Sequence, residues 1–143
     1  MRYLLDTDTC IYVLRHDPAV VARLVSLSPD DVATSAMNEA ELWYGALNSQ
    51  HPEKYRRDVE AFLAPIEVLA FAERAAREHA RLRLALKSAP IGERDLVIAS
   101  VAVAHRLILV THNQREFARV PGLSLDDWFA PPPRPSAKAG SRR

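Results

Sequence analysis

The chain has 143 residues, 48% of them hydrophobic, and 19 Lys and Arg against 18 Asp and Glu give a net charge of +1. That size suits one domain with its own core. No window approaches the ~18 consecutive apolar residues of a membrane span, and an acid at Asp6 comes too early for a signal peptide, so a cytoplasmic protein is expected. The single cysteine, Cys10, excludes an intrachain disulfide and a cysteine-rich zinc site and reads as a small core residue.

The elements alternate along the chain. "RYLL" is a short apolar strand, and "DTDTCIYVLRH" starts a helix with Asp or Thr as its N-cap. "DPAVVARLVSLS" places Pro18 at a helix start and Val20, Val21, Leu24, Val25 and Leu27 near the helical period. "DDVATS" is a brief strand. "SAMNEAELWYGALNS" is helical, with Ser35 as cap and a stripe of Ala36, Ala40, Trp43 and Leu47. "PEKYRRDVEAFLA" is a further helix, "IEVLAF" a strand, and "AERAAREHARLRLALKS" a long helix rich in strong helix formers. "RDLVIASVAVAHR" is apolar nearly all round, which predicts a buried helix. "LILVT" and a short strand in "VPGLSLDDW" close the pattern. The final "APPPRPSAKAGSRR" carries four basic residues, no acid and no large apolar group, so residues 130–143 are expected to be a disordered tail behind a folded unit over 1–129.

Aliphatic strands alternating with helices predict an α/β fold, a mainly parallel sheet covered on both faces. Such sheets bind ligands at the carboxyl ends of their strands. Asp6 follows "YLL" there, and Thr111, His112 and Asn113 follow "LILV". Glu41 and Asp95 lie on helices near element edges, and Asp95 occupies a first helical turn where the dipole favours an acid. Each alone has a plain structural role as cap, solvated residue or turn. Together they suggest a shared site, because gathered carboxylates tend to protonate unless a cation lies among them. Oxygen ligands suit Mg²⁺ or Mn²⁺, and the usual chemistry of such sites is phosphoryl transfer.

Four segments in order carry a resemblance: "YLLDTDTCIYVL", "TSAMNEAELWYGA", "PIGERDLVIASVAVAHRLILVTHN" and "VTHNQREFARVPGLSLDDW". They resemble a PIN-domain endoribonuclease, a VapC-type toxin of bacterial toxin–antitoxin modules, across residues 3–128. The resemblance implies a three-layer α/β/α sandwich and hydrolysis of RNA that depends on Mg²⁺ or Mn²⁺. It also implies homodimerisation and inhibition by a cognate VapB-type antitoxin. By position it makes Asp6, Glu41, Asp95 and Asn113 the catalytic set, with Asp6, Glu41 and Asp95 as metal ligands. Asn113 stands where many members carry Asp, so it contributes a carbonyl rather than a charge. Glu39 rivals Glu41, Asp8 is expected behind the ligands, and Thr7 and Thr111 are candidates to hydrogen-bond them. Arg94, His105, Arg106, His112, Arg115 and Arg119 are candidate phosphate contacts. Tyr12, Trp43 and Tyr44 are spaced for core or interface packing rather than base stacking.

Two rivals stand beside this reading. "LLDTDTC" nearly matches the start of haloacid-dehalogenase-like phosphatases, with Asp6 as nucleophile and Asp8 as acid and base, although Cys10 departs from that pattern. A non-catalytic PIN-like module binding RNA or protein is the other, and Asn113 is the residue that favours it.

Overall fold

The computed structural model describes residues 1–129, so the expectation of a disordered tail lies outside the described residues. Five short strands are Tyr3–Leu5 (β1), Val32–Ser35 (β2), Glu67–Leu69 (β3), Ile108–Val110 (β4) and Ser124–Asp126 (β5). Seven helices are Thr7–Leu14 (α1), Pro18–Val25 (α2), Ala36–Leu47 (α3), Pro52–Leu63 (α4), Glu73–Ala85 (α5), Glu93–Ala104 (α6) and Gln114–Phe117 (α7). The strands pair in the order β3-β2-β1-β4-β5, and every pairing is parallel.

Successive strand residues face opposite sides, and here that alternation sorts the core into two layers. Leu4, Ala33 and Leu109 pack with Leu82, Ile98 and Val101 on the side of α5 and α6. Leu5, Val32 and Val110 pack with Val20, Leu42 and Val59 on the side of α1 to α4. This is the expected α/β/α sandwich. The apolar helix α6 buries Leu96, Ile98, Ala99, Ser100, Val101 and Ala102, and Cys10 is fully buried as a core residue.

Three details depart from the sequence reading. The face of α3 that packs inward is Asn38, Leu42 and Ala46, not the Ala36–Ala40–Trp43–Leu47 stripe; Leu47 is 72% exposed. A polar residue on the buried stripe hides its phase. Tyr44, expected in core or interface packing, is 68% exposed. The four-residue α7 and a 3₁₀ turn at Pro29–Asp31 are too short to carry a periodic signal.

The topology also positions a site. The chain moves outward from β1 through β2 to β3, then crosses back over the sheet through α5 and α6 to lay β4 on the other side of β1. Strand order therefore reverses between β1 and β4. At such a switch point the loops leaving neighbouring strands diverge and open a crevice at the carboxyl ends.

Candidate active site

Asp6 ends β1 at this crevice. Its backbone N–H donates to Val110 of β4 at 2.9 Å, which ties the two diverging strands together. Its side chain caps α1, Oδ1 accepting from the Thr7 N–H at 2.9 Å. The capping role and a site role thus coexist in one carboxylate. Two buried groups complete its shell: Asn38 Nδ2 donates to Oδ1 at 3.1 Å and Thr111 Oγ1 to Oδ2 at 2.7 Å.

Asn38 is the residue sequence reasoning missed. It is fully buried in the first turn of α3, where it forms a capping box with Ser35. Its amide donates to Asp6 and also to Thr7 Oγ1 at 2.9 Å. Thr7 Oγ1 donates in turn to Glu41 Oε1. One buried amide therefore aligns two acids from different elements. The visible signal was Ser35 followed three residues later by Asn38, which reads as ordinary capping.

The four expected residues line one open cleft of about 490 Å³, where Asp6, Glu41, Asp95 and Asn113 are joined by Thr7, Asp8, Tyr44 and Arg94. Glu41 is separated from its rival, because Glu39 turns away and accepts from Trp43 Nε1 at 2.8 Å. Asp8, expected behind the ligands, lines the cleft itself; it accepts from the His112 N–H at 3.0 Å and lies 3.4 Å from Thr111 Oγ1. Of the candidate phosphate contacts only Arg94 lines this cleft, paired with Glu41 at 3.4 Å. His105 and Arg106 lie at the opposite end of α6, beside Arg74 and Arg77. Arg119 is occupied by Glu116 and the carbonyl of Ala89.

The electrostatics are those of crowded acids. Burial, then the neighbouring Asp8, pushes the Asp6 carboxyl up to about 6, against the opposing hydrogen bonds from Thr111 and Thr7. Burial and then Glu41 also raise Asp95 above the ordinary carboxylate range. The expected benefit of the α6 N-terminus to Asp95 is outweighed by these two effects.

Among the described residues no three His, Cys, Asp or Glu side chains stand as a ready ion cage. The donor chemistry nevertheless fits a hard cation. All candidate ligands are oxygens, their uncompensated charge is what a cation relieves, and Mg²⁺ takes only one or two carboxylates while keeping waters. Arg94 supplies the positive charge that Glu41 otherwise lacks.

The PIN-domain family model matches residues 3–123. The tRNA(fMet)-specific endonuclease VapC of Shigella flexneri is 38% identical over 130 residues, covering 90% of this chain and 98% of the relative. Its namesake from Salmonella typhimurium is 36% identical over the same coverage. Among solved structures, VapBC2 from Rickettsia felis bound to a promoter DNA fragment superposes with a TM-score of 0.84 at 35% identity, covering 90% of this chain and 99% of that one. VapBC-1 from nontypeable Haemophilus influenzae gives 0.81 at 34% identity, covering 91% and 100%. These matches leave no place for the haloacid-dehalogenase-like alternative: the chain belongs to the PIN-domain family, among the VapC ribonucleases.

Proposed function

We propose that this protein is a divalent-metal-dependent endoribonuclease that acts as the toxin of a toxin–antitoxin pair, with Asp6, Glu41 and Asp95 as metal ligands and Asn113 assisting through its side-chain carbonyl. The observation that carries the reading is the cleft at the β1–β4 switch point, where these residues meet and where burial and mutual repulsion raise two of the acids. A Mg²⁺ or Mn²⁺ ion bound there would make water acidic enough to attack and would stabilise charge developing on a phosphodiester. The chain's own residues do the positioning. Asn38 and Thr111 fix the Asp6 carboxylate, Thr7 fixes Glu41, and Arg94 offers a guanidinium beside the acids that can meet a phosphate.

The substrate class follows the relatives, two of which are named for a tRNA, so tRNA is the first RNA to test. An antitoxin partner of VapB type is supported by the VapBC complexes from Rickettsia felis, Salmonella typhimurium and Haemophilus influenzae that this chain superposes on. A homodimer is proposed on the same ground. No helix among the described residues is long and apolar enough to cross a membrane.

The test is cleavage of total RNA and of tRNA by the purified protein and by Asp95→Asn, each in Mn²⁺ and in EDTA. Asp95→Asn keeps the shape and removes the charge. Cutting by the unmutated protein, in Mn²⁺ only, with a loss of about 100-fold or more in Asp95→Asn, is the expected result, since even groups behind metal ligands are worth about 10- to 100-fold. Equal cutting by both proteins would remove Asp95 from the assignment.

A further inference from the structure

The acidic cleft is flanked by two aromatic side chains that its catalytic carboxylates do not use. Tyr44 lies on α3 one turn beyond Glu41, on the same helical face, and lines the cleft with its side chain 68% exposed. His112 lies on the other flank, between Thr111, which holds Asp6, and Asn113, which lines the cleft. Its ring is anchored: Nδ1 lies 2.9 Å from Asp127 Oδ2, its edge meets Phe129 with centroids 4.9 Å apart, and its own N–H binds Asp8. It still leaves 48% of its side chain exposed. The sheet order explains the placement. β2 leads into α3 and Tyr44, β4 leads into His112, and the two strands lie on either side of β1 with its Asp6.

A large exposed aromatic ring costs solvation unless something covers it. Beside a phosphodiester cleft, the flat apolar face of a nucleobase is a matched occupant. Bases present their faces only where they are unstacked, in single strands, loops and bulges. Arg94 lies in the cleft near Tyr44, in reach of a backbone phosphate rather than a base. We infer that Tyr44 and His112 are base-stacking positions for the nucleotides on either side of the cleaved phosphate, so that the substrate is unpaired RNA. The inference rests on the nuclease reading of the same cleft and names the form of its substrate. The anchored His112 ring arrives pre-organised, and its stacking costs little ordering entropy.

The test uses the full chain carrying Asp95→Asn, in Mn²⁺, with short single-stranded RNA containing one 2-aminopurine, whose fluorescence is quenched on stacking. Tyr44→Ala and His112→Ala are each expected to weaken binding by about 10-fold and to abolish quenching at one labelled position, a different one for each. Tyr44→Phe and His112→Phe are expected to restore both, and a duplex of the same sequence is expected to bind poorly. Unchanged quenching in the alanine variants, failure of the phenylalanine variants to rescue, or equal affinity for the duplex would each overturn the inference. So would a change of oligomeric mass in Tyr44→Ala with RNA binding intact, which would make that ring a protein interface. Quenching that behaves as expected while the protein without substitutions cuts no RNA would sink the nuclease reading and leave the stacking positions standing.

Discussion

Asp6 carries a cost in the fold that it repays only in function. Its carboxyl titrates near 6 in the native state because burial and Asp8 oppose its charge, against 3.8 when unperturbed. The native state therefore holds a proton between those values that the unfolded chain has lost, and its stability falls as pH rises through the window. In the absence of divalent ions, Asp6→Asn removes this penalty while keeping the acceptor for Thr7. Its stability advantage over the unsubstituted protein is expected to grow from near zero below pH 4 to about 3 kcal/mol above pH 6, read by urea denaturation across that range. A gap independent of pH would mean that Asp6 is solvated in the native state. Asn38 acts in the opposite sense. It is fully buried and bonded to Asp6, Thr7 and Ser35, so Asn38→Ala leaves several partners unpaired and opens a void. A loss of about 2–4 kcal/mol is expected in the same assay, with RNA cleavage reduced through misplacement of Asp6 and Glu41 even where the variant is folded.

At the scale of elements, α6 joins stability to the site. Its N-terminal turn presents Asp95 to the cleft, and its body fills the space between the sheet and α5. Ile98 is 1% exposed there, so Ile98→Ala is expected to cost about 2–4 kcal/mol by transfer and cavity terms. Leu84→Ala on the outer face of α5, where Leu84 is 70% exposed, is expected to change stability by less than about 0.5 kcal/mol. Equal losses would mean that α5 is covered on its outer face. This helix was legible in the sequence because a continuous apolar run admits only a buried element, and Asp95 stood out against it. The strand ends were legible for the same reason, as Asp6 breaks an apolar run at a place where parallel sheets put ligands. The inward face of α3 was not legible, because its key member is polar and bonded to groups 31 and 32 residues away in the chain. The ends of α1 and α6 also lacked the usual glycine: His16 and Arg106 take the left-handed conformation, with φ of 61° and 55°, and close both helices through backbone bonds. Pairing across the switch point depends on strand order, which local patterns do not encode, so Thr111 was visible only as a candidate and its partner was not.

For the whole molecule, the sheet order is what turns scattered acids into one site. β1 brings Asp6, α3 brings Glu41 from β2's side, and α6 brings Asp95 back across the sheet, so folding concentrates negative charge at one end of the structure. Folding alone leaves that charge uncompensated apart from Arg94, and a bound cation would couple site occupancy to global stability. Protons compete with the ion for Asp6 and Asp95, both raised above the ordinary range. Raising pH through about 6 therefore destabilises the ion-free protein while strengthening ion binding. The rise in melting temperature on adding Mn²⁺ is expected to be small at pH 5 and several degrees larger at pH 7.5, and Asp6→Asn should flatten that dependence. Scanning melts at both pH values with and without Mn²⁺ measure it directly. A Mn²⁺ effect of the same size at both pH values would mean that the ion binds away from the raised carboxylates, and a null effect at both would leave Arg94 as the only positive charge balancing this end of the sheet.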